Sequence, residues 1–158
     1  MKMKLKYTAL VCFIVLVTAC TKETPEEQII VDSQNVIAVE AELLTVVNNH
    51  RTAMGLNTLY YSTVAHEYAN EHTNYMIAKG NLSHDNFSVR ASNISAEESA
   101  EYVAENVAKD YDNASEAFEG WFNSASHKTT MEGDFTHTAV SVKKNQAGKL
   151  YFTQIFYR

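Results

Sequence analysis

The eight residues Leu150–Tyr157 (LYFTQIFY) constrain this chain more than any other segment. Side chains alternate between the two faces of a strand, so Leu150, Phe152 and Phe156 share one face and Tyr151, Ile155 and Tyr157 the other. A strand that is apolar on both faces needs cover on both faces. Its partner is expected just upstream. Ala139–Val142 is rich in β-formers, with Val140 and Val142 on one face, and 145–149 (NQAGK) is a turn with a usable glycine.

The cover must come from the helical pattern that precedes this hairpin. Val36, Val39, Leu43, Val47 and His50 recur at three- and four-residue spacing, and Gly55 stops that helix. A second helix begins near Thr63, buries Ala65, Tyr68, Ala69, His72 and Met76, and ends at Gly80. Residues 81–94 read as loop. A third helix is expected over 96–109, on the spacing of Ala100, Val103, Ala104 and Val107. A fourth follows the cap residues Asp112 and Asn113 and carries Ala117, Phe118, Trp121 and Phe122. Together these elements predict an α+β fold, an α/β/α three-layer sandwich with a small antiparallel sheet between helices. Residues 36–158 hold no internal repeat or linker, so they form one domain.

The front of the chain reads as targeting sequence. Residues 1–6 (MKMKLK) are basic, and the apolar run 7–17 is too short for a convincing membrane span but suits a signal peptide over 1–19. The run ends in Val17-Thr18-Ala19-Cys20 and then turns polar (TKETPEE). That order resembles the bacterial lipobox, which implies a lipoprotein acylated, palmitate included, at Cys20. Residues 20–35 would be the acylated N-terminus and a flexible tether, with Pro25 and the like charges of Glu23, Glu26 and Glu27. A frayed first helix is the alternative reading of that stretch. The expected location is the bacterial cell envelope, lipid-anchored and extracytoplasmic, at the outer membrane or cell surface.

Removing Lys2, Lys4 and Lys6 from a net charge of −6 leaves a mature chain near −9. Such an acidic surface argues against nucleic acid and against electrostatic adhesion to anionic lipid, so acyl chains must supply any membrane attachment. The two cysteines, Cys12 and Cys20, both lie at the front, so the body has no internal disulfide and no thiolate nucleophile. Nine Tyr and seven Phe against five Gly and one Pro exclude a disordered or collagen-like chain.

Six short motifs then fall in order. Leu44…Asn48-Asn49-His50-Arg51…Gly55-Leu56…Leu59 comes first, followed by Ala65…Ala69…His72…Met76…Gly80…Leu82-Ser83-His84. Glu105-Asn106-Val107-Ala108 is next, then Trp121-Phe122-Asn123-Ser124…Ser126-His127-Lys128. Phe135-Thr136 and Tyr151-Phe152-Thr153-Gln154-Ile155-Phe156 close the series. In this order they resemble the CAP superfamily, the SCP-like domain of cysteine-rich secretory proteins, antigen 5 and pathogenesis-related 1 proteins, in its bacterial, cysteine-free branch. The resemblance runs from about residue 41 to 156 and implies the same α/β/α sandwich.

It also implies a central cleft with His84, Glu105 and His127, and with His137 as an uncertain addition at the start of a strand. Two neutral imidazoles and a carboxylate could hold Zn²⁺ weakly and leave a position for water. The same groups could equally tie a loop to a helix without metal. Asn106 and Trp121 are expected to be structural, and His72 a satisfied core histidine. His50 and His66 are expected to be partly exposed or structural. The chain departs from the family pattern at Ser124, where many eukaryotic members carry a second cleft glutamate, and at Asp134, where they carry a histidine. Lys128 replaces the commoner arginine, and Ala139 and Ser141 stand where many bacterial members have glycine. Ser83-His84 and Ser126-His127 are adjacent in sequence, which does not make a catalytic pair.

Two functions are therefore expected to compete. One is a binding or interaction module for an envelope or extracellular ligand, lipid or protein, with no nucleic acid and no resident cofactor. The other is a metal-dependent hydrolase using His84, Glu105 and His127.

Overall fold

The computed structural model describes residues 33–158. The expected signal segment, Cys20 and most of the expected tether lie outside the described residues. The described chain is attached from its first residues. Ser33 N–H donates to Asn74 Oδ1, Asn35 forms a bridge with Lys143, and Val36 N–H donates to Val142 O at 2.8 Å.

The elements run α1 (Ile37–Ala53), β1 (Tyr60–Tyr61), α2 (Thr63–Lys79), α3 (Phe87–Glu98), β2 (Val103–Lys109), α4 (Ala114–Phe122), α5 (Ala125–Met131), β3 (His137–Lys144) and β4 (Leu150–Tyr157). Their ends have local causes. Ser62, rather than Thr63, caps α2 by accepting from the Ala65 N–H, and Gly80 closes it in the left-handed region at φ 75°. Asn113 accepts from the Glu116 N–H while the Glu116 carboxylate reaches back to the Asp112 N–H, so α4 starts on a reciprocal cap.

Strand order is β1-β3-β4-β2. β4 is central and antiparallel to both neighbours, with Tyr157 opposite His137 on one side and Val103 on the other. The two-residue β1 joins β3 in parallel, so the sheet is mixed. One face packs on α1, α4 and α5 through Leu43, Val47, Trp121, Met131, Phe152 and Phe156. The other packs on α2 and α3 through Ala65, Ala69, Ile94, Ala139, Ile155 and Tyr157. Every residue of β4 is buried, as its two apolar faces require.

Two sequence expectations need correction. Residues 87–98, read as loop for the most part, form α3, and residues 103–109, read as helix, form β2. The spacing of Ala100, Val103, Ala104 and Val107 suits a helix, but it also suits a strand covered on both faces. Val103 and Val107 meet the α2 side, while Ala104 and Ala108 meet the α1 side. The chain leaves α3 at Ser99, which sits in the left-handed region at φ 55° and so breaks the helix before that spacing begins.

Candidate functional site

The correction at β2 decides the geometry of the site. As a strand residue, Glu105 points its side chain to the α2–α3 face and Asn106 points to the face of α1, α4 and α5. β2 is also an outer strand of the sheet, so its edge separates the α2–α3 loop from α5.

The loop between α2 and α3 is pinned above Glu105. The Ser83 carbonyl accepts from the His72 ring at 2.6 Å, and Ser83 Oγ accepts from the Asp85 N–H. Asp85 in turn accepts from Tyr75 and pairs with Lys79. Asn86 takes the left-handed conformation at φ 57° and turns the chain into α3. His84 is thereby held with Nδ1 at 2.9 Å from Glu105 Oε1, half of its side chain remaining exposed.

Arg90 was not among the residues that sequence reasoning singled out. It lies on α3 and clamps Glu105 through both oxygens, with Nε and Nη2 on Oε2 at 3.1 and 2.8 Å and Nη2 on Oε1 at 2.9 Å. Its Nη1 donates to the Asp85 carbonyl at 2.7 Å, so one guanidinium fixes both the carboxylate and the histidine loop. The Glu105 side chain is 1% exposed, and His72 Nε2 approaches it to 3.7 Å. Burial pushes the His72 imidazole below the ordinary histidine value; Glu105 opposes that shift and Arg90 reinforces it.

Across the edge of β2, His127 lies on the short helix α5. Asn106 Nδ2 donates to its main-chain carbonyl at 3.0 Å and ties α5 to the strand. Asn106 Oδ1 is buried and has no partner among the described residues. Ser124 does not stand in for a glutamate. It stands at the N-terminal boundary of α5 without a side-chain bond to the helix backbone, its Oγ lying 2.9 Å from His127 Nδ1. Burial, followed by the nearby His84, pushes the His127 imidazole down. His84 and Glu105 are thus in contact, and His127 faces them from the other side of the strand edge.

His137 is placed elsewhere. It stacks on Tyr157 with ring centroids 4.9 Å apart, approaches Tyr60 at the sheet's other border, and bonds Thr136 Oγ1. One whole strand, β4, separates it from β2. His50 pairs with Glu132 at 2.8 Å and His66 approaches Glu40. Trp121 is buried with its indole N–H on the Val107 carbonyl.

Among the described residues, no group of three or more His, Cys, Asp or Glu side chains is arranged to hold a metal ion. The donor set gives the reason. The guanidinium of Arg90 already occupies the two Glu105 oxygens that a cation would use, so these residues do not fit a zinc site.

A mixed sheet between two helical layers, with a histidine–glutamate pair and a facing histidine at one strand edge, is the architecture of a CAP domain. The chain belongs to the CAP, or cysteine-rich secretory protein, family, whose model matches residues 44–156. None of the curated proteins compared matches it.

Three solved structures share the fold. An outer surface protein from Borrelia burgdorferi superposes with a TM-score of 0.71 at 17% identity, covering 80% of this chain and 98% of that one. An extracellular protein containing an SCP domain from Bacillus anthracis gives 0.67 at 21% identity, covering 77% of this chain and 41% of its own. A cysteine-rich secretory protein from Staphylococcus aureus gives 0.66 at 18% identity, covering 78% and 39%. This chain therefore spans about two fifths of the Bacillus and Staphylococcus chains.

Proposed function

We propose that this protein is an extracytoplasmic, lipid-anchored binding module of the bacterial cell envelope, and that it meets its ligand at the His84–Glu105–His127 cleft. The clamp of Arg90 on Glu105 carries this reading. A carboxylate held by a guanidinium and an imidazole is a poor metal ligand and a poor general base. What the cleft offers a ligand is two imidazoles on opposite sides of a strand edge, as hydrogen-bonding groups.

The location is supported by the lipobox-like Val17-Thr18-Ala19-Cys20 and by the three similar folds, one an outer surface protein, one extracellular and one secretory. The membrane is reached through acyl chains on Cys20, and the ligand is an envelope or extracellular lipid or protein.

The competing metal-dependent hydrolase would require Glu105 to exchange Arg90 for an ion. Calorimetric titration of metal-free protein with Zn²⁺ separates the two. Little heat up to high micromolar zinc is expected from folded protein. Tight binding that disappears in both His84→Ala and His127→Ala would overturn the binding-module reading.

A further inference from the structure

A second cavity lies on the opposite border of the sheet, and it has a cause in the topology. β1 is only two residues long, and its pairing with the outer edge of β3 ends where Ser62 N–H meets the Thr138 carbonyl. Pairing resumes where Val36 N–H meets the Val142 carbonyl. Val140 lies between, and the gap is a cavity of about 240 Å³ that α1 roofs with Ile37, Ala41 and Leu44.

One end of this apolar space is charged. Glu40 is 8% exposed and lines the cavity with His66 and Tyr61. Its Oε1 is well used, accepting from Asn35 Nδ2 and from the Val142 N–H at 2.8 Å. Among the described residues, its Oε2 has only a long contact of 3.4 Å to His66 Nε2.

Asn70 Nδ2 faces His66 Nδ1 at 3.2 Å, which makes that nitrogen the acceptor and leaves the proton of a neutral ring on Nε2. No lysine or arginine is among the described residues that line the cavity. Burial alone would raise the Glu40 carboxyl, but hydrogen bonds from His66, Asn35 and Val142, with the charge of His66, hold it below the ordinary glutamate value. Burial, and then the Glu40 charge, push the Tyr61 phenol up at the mouth of the cavity.

A buried carboxylate with spare acceptor capacity, at the end of an apolar space with no lysine or arginine among its described lining residues, complements one kind of ligand. We propose that this cavity binds a small amphipathic amine, its ammonium on Glu40 Oε2 and its apolar body against Ile37, Ala41, Leu44 and Val140. Tyr61, half-exposed, stands at the rim of the same cavity with its ring tilted against His66. Size selects a free amine over a lysine of a partner protein. At about 30 Å³ per water the cavity holds roughly eight waters, and a lysine side chain would leave much of it empty. It is also below the roughly 300 Å³ at which drug-sized ligands begin. This site is independent of the His84–Glu105–His127 cleft.

The test titrates the protein as the cell makes it with 2-phenylethylamine and with its uncharged isostere 2-phenylethanol, following the His66 ring resonances by NMR. The amine is expected to bind roughly tenfold tighter or more, the scale of one charged hydrogen bond. Glu40→Gln keeps the shape of the side chain and should abolish that preference. Ala41→Phe fills the cavity from an exposed helix position, leaves Glu40 in place, and should abolish binding of both ligands. Equal affinities for amine and alcohol would overturn the proposal. So would unmoved His66 resonances in folded protein, the result expected if residues 1–32 or a second copy of the chain fill the cavity.

Discussion

Trp121 donates its indole N–H to the Val107 carbonyl at 3.1 Å, from the side of β2 that no other described strand covers. A single side chain thereby closes a position at the sheet edge and fills the core beneath it. Trp121→Ala is expected to cost about 3–5 kcal/mol in a denaturant titration, as large aromatic truncations do. Trp121→Phe, which keeps most of the volume and loses the donor, should cost about 1–3 kcal/mol. A cost under about 1 kcal/mol for the alanine variant would mean that the ring is not part of the core.

Arg90→Ala leaves a carboxylate that is 1% exposed without its guanidinium. The expected loss is about 3–5 kcal/mol, the scale for breaking one partner of a buried ion pair. Arg90→Met combined with Glu105→Leu should recover much of that loss, because both charges are removed together. A double variant whose destabilisation equals the sum of the singles would show that the two side chains are not coupled.

Acid should weaken the fold in two separate windows. His72 and His127 are both held below the ordinary histidine value of 6.5, in each case by burial first. The unfolded chain therefore takes up their protons more readily than the native one. Their contribution is complete above that value and is lost as pH falls from there through the native-state values. Glu40 acts lower, its contribution complete above 4.5 and lost as pH falls beneath it. Thermal melts from about pH 7.5 to about pH 5 should therefore decline in wild type and decline less in His72→Gln. Parallel profiles for the two proteins would remove His72 from the account.

Mass spectrometry of protein purified from its native membrane is expected to find Cys20 as an acylated first residue. An unmodified N-terminus at another position would end the lipoprotein reading.

How much of this was legible in the sequence depended on how many faces each element buries. α1, α2 and α4 each bury one stripe, so Leu43 and Val47, Ala65 and Ala69, and Ala117 and Trp121 fall at helical spacing. The β3–β4 hairpin announced itself through its turn and through β4's apolar alternation. β2 did not, because a strand buried on both faces loses the polar alternation that marks a strand, and Ala104 and Ala108 mimic a helix. α3 buries only Arg90 and Ile94, too few to set a period, although their four-residue spacing after Asn86 was a usable signal. Missing that helix also hid Arg90. His84, Glu105 and His127 were visible only through the family resemblance, since nothing in their spacing says that a loop and a short helix meet at one strand edge.

β4 is the last strand of the chain and the middle strand of the sheet. β2 and β3 do not pair with each other; β2 takes its register from β4, and β3 from β4 and the two-residue β1. The sheet therefore cannot be completed until residues 150–157 are available to pair. The pairing of β2 with β4 spans up to 54 residues, Val103 to Tyr157. Such long-range closure is slow and cooperative. A domain wired in this way cannot join β2 to β3 before β4 is present.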